Sequence, residues 1–115
     1  MSQKKRRAIP RFHTPIVETH CHLDYLEGDA VDAVLRDAFA AGIERILTIS
    51  VSAGNLDTVR QLAESNQSIW CTQGIHPHEA NSWNSALAER VTQGCAHPRV
   101  IAVGEIGLDY HYNHA

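Results

Sequence analysis

Short β-branched runs alternate with amphipathic stretches along this chain, and that alternation restricts it to parallel α/β architectures. Ile16 to His20, Arg45 to Val51 (RILTISV), Ile69 to Gly74 and Val100 to Gly104 (VIAVG) predict four strands. Between the first two, residues 29–41 place Val31, Val34, Leu35, Ala38 and Phe39 on one face of a helix. Gly42 follows, suited to ending that helix in a left-handed conformation. A second helix is expected from about Asn55 to Ser65, with Leu56, Val59, Leu62 and Ala63 inward. Trp83, Leu87 and Val91 mark a third, capped by Asn81 or Ser82 and ending near Gly94. Strands separated by helices of this length pair in parallel through right-handed crossovers. A parallel sheet is normally covered on both faces, so the fourth strand, with no helix after it, is expected to be an exposed edge.

Composition narrows the class. The 115 residues give room for one domain of modest size, and 43% hydrophobic with 20% charged residues is ordinary for a globular protein. No apolar run approaches the roughly 18 residues of a membrane helix, and no apolar segment near the start marks a secretory signal. No membrane partner is expected, and nothing points to a protein partner. Cys21, Cys71 and Cys95 are odd in number and lack Cys-x-x-Cys spacing. They read as free thiols packed as small hydrophobes in a reducing compartment, the cytoplasm.

Charge is uneven. Residues 1–15 carry Lys4, Lys5, Arg6, Arg7 and Arg11 and no acid. The remaining hundred carry five basic and thirteen acidic groups, 5 − 13 = −8. The basic leader, residues 1–15, is expected to be a disordered tail; contact with nucleic acid or an address function are its alternatives. The acidic body has no evident basic face. If it handles phosphates, metal ions must supply much of the positive charge.

Three motifs fall at the carboxyl ends of expected strands, where parallel α/β folds bind ligands. They are ETHCHLDYL at 18–26, GIHPHEA at 74–80 and VGEIGLDYHY at 103–112. In an extended strand His20 and His22 project to one face and Cys21 to the other. The two histidines suit a divalent metal, or are loop histidines held by backbone hydrogen bonds. Glu105 directly follows an apolar run, where a carboxylate is costly unless paired or bound to metal; a salt bridge or cap is its alternative. His76 is biased to extended backbone by Pro77, and is otherwise a turn histidine. Asp24 is placed to orient an imidazole or to serve as a turn acid. His78 carries less signal, and Glu79 reads as a helix start. Imidazoles with a carboxylate are a donor set for Zn, Mn or related hydrolytic ions. A carboxylate can bridge two metals about 3.5–4 Å apart that activate water and clamp a phosphoryl group.

In this order the three motifs resemble the TatD family of metal-dependent deoxyribonucleases, over nearly all of residues 16–112. The resemblance implies an α/β fold, a metal-dependent-hydrolase TIM barrel. It implies His20 and His22 as metal ligands from the first strand. It implies Glu105 as a catalytic carboxylate from the fourth, shared between two divalent ions (Mg, Mn or Zn). His76 would meet a substrate phosphate, and Asp24 would support the ligands from behind. The implied activity is hydrolysis of DNA phosphodiester bonds, often exonucleolytic, with DNA as the partner. Two departures stand out. The first motif usually opens with Asp, and Glu18 keeps the carboxylate with a longer reach. A (β/α)8 barrel takes about 250 residues, so residues 16–115 are expected to be its N-terminal half, truncated after the fourth strand. The family's later ligands, two histidines and an aspartate, then lie outside the chain, which alone is expected to be weak or inactive. The competing readings are a hydrolase of the same superfamily acting on another phosphoester or an amide, and an inactive half-barrel.

Overall fold

Each apolar, β-branched run becomes a strand. A computed structural model describes residues 7, 8, 10 and 12–112. Strands β1 (Ile16–Cys21), β2 (Ile43–Thr48), β3 (Ile69–Gln73) and β4 (Val100–Val103) form one parallel sheet in the order β1-β2-β3-β4. Helices α1 (Ala30–Ala40), α2 (Leu56–Ser65) and α3 (Ser85–Gly94) fill the three connections. A 3-10 turn, Leu23–Tyr25, follows β1, and another, Pro77–Ser82, follows β3. Spatial order equals chain order, as in one arc of a (β/α)8 barrel. Of the basic leader, Lys4, Lys5, Arg6 and Arg11 lie outside the described residues.

The core lies between strands and helices. Leu35 of α1, Val59 and Ala63 of α2, Ile46 of β2 and Ile69 and Cys71 of β3 form one buried cluster with Leu23. Leu56, Ile75, Leu87 and Val91 form a second, joining α2 to α3. Burying each Leu, Ile or Val contributes about 1.5–3 kcal/mol. Leu62 is only partly buried, and Val34, on the expected stripe of α1, is 42% exposed.

The bounds of β2 and the cap of α3 differ most from expectation. β2 begins at Ile43 and stops at Thr48. Beyond it the Ser50 N–H goes to the Thr72 hydroxyl at 3.0 Å, so a side chain replaces the regular ladder partner. Helix α3 is capped by Asn84, not by Asn81 or Ser82: its Oδ1 accepts the Leu87 N–H at 2.8 Å. Asn81 and Ser82 close the preceding turn instead, where the Ser82 hydroxyl donates to the Glu79 carbonyl. Trp83 is left 52% exposed.

The outer strands carry exposed apolar side chains: Val17 on β1, Ile101 and Val103 on β4. The expected edge at β4 is therefore present among the described residues.

Beyond the strands, the backbone passes close to itself at one point. A Cβ on Gly74 would lie 2.5 Å from the Gly104 carbonyl carbon and 2.8 Å from the Glu105 carbonyl oxygen. Only a residue without Cβ lets the ends of β3 and β4 approach this closely. Gly74→Ala is expected to lower stability in urea unfolding by about 1–3 kcal/mol. Wild-type stability in that variant would refute the close approach.

Candidate active site

The sheet's carboxyl end is stitched by buried hydroxyls. Thr48 Oγ1 donates to the Cys21 carbonyl and accepts the Leu23 N–H. Ser50 Oγ donates to the Gly74 carbonyl at 2.7 Å and accepts the Gly74 N–H. Thr72 Oγ1 donates to the Gly104 carbonyl at 2.7 Å. The Glu105 N–H then bonds to the Ser50 carbonyl at 2.9 Å, and the His76 N–H to the Val51 carbonyl at 2.7 Å. Each site side chain is thus mounted on backbone tied to a neighbouring strand.

Three of the expected site residues converge. Glu105 Oε2 lies 3.7 Å from His20 Nε2, and its Oε1 lies 3.2 Å from His76 Nε2. The three come from the ends of β4, β1 and β3. The His22 ring meets the His20 ring edge-on at 5.3 Å between centroids. His22 Nδ1 is buried and, among the described residues, without a hydrogen-bond partner. These residues border one cavity of about 370 Å³, together with Tyr25 and His78. A larger hollow of about 620 Å³ lies between Pro77 and Tyr112, but none of His20, His22, His76 or Glu105 borders it.

The strand alternation holds. Cys21 turns away from the histidines and places its Sγ 3.6 Å from the Leu47 carbonyl. Glu18, on the histidine side, folds back to accept the His20 N–H at 3.0 Å. Its extra methylene is used for that return. Among the described residues Asp24 engages no imidazole: its Oδ2 accepts from Asn55 Nδ2 at 3.0 Å, and its Oδ1 is buried without a hydrogen-bond partner there. Asn55 in turn accepts the N–H groups of Val51 and Ser52, so Asp24 is linked to the loop after β2.

His76 has a defined tautomer. Its backbone is extended, with φ −58° and ψ 146°, as Pro77 requires. Its Nδ1 accepts the His78 N–H at 3.0 Å, which leaves the proton of the neutral ring on Nε2, facing Glu105. A donor here suits an anionic oxygen.

Sequence reasoning gave His78 little weight and assigned no role to Asp109. His78 Nε2 lies 2.7 Å from Asp109 Oδ2, while Asp109 Oδ1 accepts the N–H groups of His111 and Tyr112. Those two backbone bonds, Tyr112 first, and then His78 hold the Asp109 carboxyl below its ordinary range. The signal was available: each of the two later motifs carries one member of the pair.

The donor chemistry fits a divalent ion. Two ligands on one metal, at bond lengths of about 2.1 Å, stand about 3.0–3.4 Å apart. The His20–Glu105 separation is within a few tenths of an ångström of that. Among the described residues, no group of three His, Cys, Asp or Glu donors is gathered tightly enough to hold an ion as it stands.

Comparison with known proteins accounts for the three motifs. The sequence profile of the family described as TatD related DNase matches residues 17–115. The chain belongs to that family. It is 35% identical over 82 residues to the 3'-5' ssDNA/RNA exonuclease TatD of Escherichia coli (strain K12), covering 71% of this chain and 32% of that one. The protein of the same name from Musicola paradisiaca (strain Ech703) is 39% identical over 83 residues, covering 71% and 31%. The crystal structure of YJJV, a TatD homologue from Escherichia coli K12, superposes with a TM-score of 0.76 at 32% identity, covering 84% of this chain and 39% of that one. This TatD-family chain spans about a third of the length of the curated relatives it matches. Its four-stranded arc is part of the barrel fold expected from sequence. Among the described residues no helix is long and apolar enough to cross a membrane.

The thiols give a pH test of the packing. Burial, reinforced at Cys21 by the nearby Glu18 carboxylate, raises the Cys21 thiol from 9.0 to about 11; burial does the same for Cys71. The folded state therefore holds these protons more tightly than the unfolded one. Their stabilising contribution is complete below pH 9 and is lost as pH rises through 11. At pH 8.5 the thiolate fraction of each is well below that in the unfolded chain. Iodoacetamide labelling followed by mass spectrometry should show Cys21 and Cys71 slowed relative to the unfolded chain, Cys71 more than the half-buried Cys21. Labelling at the unfolded rate would contradict their burial.

Proposed function

We propose that this chain is the N-terminal half of a metal-dependent nuclease that hydrolyses phosphodiester bonds of DNA. The observation that carries the reading is the approach of His20 and His76 to the two oxygens of Glu105, at 3.7 and 3.2 Å. The names of the relatives support it, since they act on ssDNA and RNA as 3'-5' exonucleases. Residues 16–115 supply four strands and the three helices between them, and the rest of a (β/α)8 barrel completes the site. The free thiols support a cytoplasmic location.

His20, His22 and Glu105 would hold divalent ions, Mg, Mn or Zn, two imidazoles and a carboxylate being a fitting donor set. Such ions supply positive charge against the phosphate and lower the pKa of a bound water. The chain's own residues do the rest. The buried Nδ1 of His22, without a hydrogen-bond partner among the described residues, would be free to give its lone pair to an ion. His76 presents its Nε2 proton to a phosphate oxygen, with Nδ1 held by the His78 amide. Asp24, tied to Asn55, fixes the turn that carries His22. The acidic body repels a bare polyanion, so cations at the strand ends are needed for the substrate to approach.

The test is release of nucleotide from end-labelled single-stranded DNA in Mg²⁺ or Mn²⁺. In the protein at its full natural length, Glu105→Ala is expected to lower the rate by at least about 10²-fold, and EDTA to abolish it. Wild-type turnover in Glu105→Ala would remove Glu105 from the site. The 115-residue chain by itself is expected to be weak or inactive; robust metal-dependent turnover by it would show that four strands suffice.

A further inference from the structure

One aromatic ring in the cavity is explained neither by the converging donors nor by core packing. Tyr25 lies flat on the His22 imidazole, with centroids 4.8 Å apart and planes inclined by 11°. It borders the same cavity as His20, His76 and Glu105. Yet 63% of the residue is exposed. Burial does not account for a large ring in that position.

The ring is also pre-positioned. Tyr25 ends the short turn Leu23–Tyr25, and both of its predecessors are fastened. Leu23 is buried in the core, and its N–H bonds to Thr48 Oγ1. Asp24 is held by Asn55 at 3.0 Å, and the Tyr25 N–H reaches the His22 carbonyl at 3.1 Å. A ring fixed in this way loses little entropy when a ligand is laid on it.

We propose that Tyr25 is the base-stacking platform of this site, taking on its open face an unpaired nucleobase of the strand whose phosphate lies at Glu105 and His76. The proposal rests on the nuclease reading above. A nucleotide carries its phosphate and its aromatic base at opposite ends. The cavity matches this with the His76 Nε2 proton and the ion-holding carboxylate of Glu105 at one end and, beside His22, a phenol ring. A base on the outer face of Tyr25 would continue the stack begun by His22. Stacking is tolerant of sequence because every base has a π face. It does demand an unpaired base, since a base in a duplex must first be unstacked and unpaired. Tyr25 would thereby select single-stranded ends with little regard to sequence. Its contribution is to binding and falls on KM more than on kcat.

The experiment compares Tyr25→Ala and Tyr25→Phe with wild type, in the protein at its full natural length. The substrates are an oligothymidylate and an oligomer of equal length made abasic at its cleaved end. Mn²⁺ affinity of each variant is measured separately by electron paramagnetic resonance. Wild type is expected to favour the oligothymidylate in kcat/KM by about 5- to 150-fold, the range of one base stack. Tyr25→Ala should erase that preference through KM, leaving the abasic oligomer and Mn²⁺ affinity unaltered, and Tyr25→Phe should restore it. A preference that survives in Tyr25→Ala overturns the proposal. So does an equal loss on both oligomers with weakened Mn²⁺ binding, which would make Tyr25 a prop for His22. If wild type cleaves neither oligomer, the nuclease reading falls and this inference with it.

Discussion

Three buried hydroxyls hold the ends of the sheet together, and the site hangs on them. Parallel strands normally pair amide to carbonyl at even spacing. Here the register slips between Glu18 and Cys21 on β1 and between Cys71 and Thr72 on β3. Backbone groups near those slips need other partners. Thr48, Ser50 and Thr72, none more than 3% exposed, supply them. A buried backbone group left unpaired costs about 1–3 kcal/mol, so each hydroxyl fixes two strands at once. Glu105 inherits its place from this stitching: its own N–H goes to Ser50, and Gly104 before it is held by Thr72 and by Gln73. The carboxylate and its imidazoles share no strand, and they meet because the backbone beneath them is tied.

The site's electrostatics divide between two carboxylates. Glu105 faces two imidazoles at 3.2 and 3.7 Å, distances long enough for further ligands to compete. Asp109 is committed: two backbone N–H groups and His78 saturate it. That commitment holds the loop after β4 against the turn after β3. His78 is the hinge of the arrangement, since its amide sets the His76 tautomer while its ring holds Asp109. One carboxylate is left free to bind, and the other is spent on geometry.

The alternation of strands and helices, and the convergence of His20, His76 and Glu105, could be read from residue order. Periodicity reports which face is buried, and strand ends in a parallel sheet mark where ligands gather. What escaped depends on contacts between segments far apart in the chain. Asp24 pairs with Asn55, 31 residues away, and His78 with Asp109, also 31 away. No local pattern encodes such distances. RILTISV reads as strand to its end, yet β2 stops at Thr48, because Ser50 takes its partner from a side chain. Asn81, Ser82 and Asn84 are all good caps, and only Asn84 reaches the Leu87 amide.

Glu105 follows the outermost strand, and this couples the site to the sheet's edge. On its inner side β4 is held by β3 and the hydroxyls; on its outer side, among the described residues, no strand pairs with it. Ile101 and Val103 of β4, and Ile106 and Leu108 after it, are each at least 56% exposed. Edge strands open more readily than central ones, because fewer buried contacts must be broken. Any excursion of β4 carries Glu105 away from His20 and His76 together. Whatever covers the outer side of β4 therefore does more than hide apolar surface: by restraining the strand it sets how often the three groups stand within ligating distance. The approach of Glu105 to both imidazoles and the protection of the edge should rise and fall together, since the carboxylate directly follows the exposed strand.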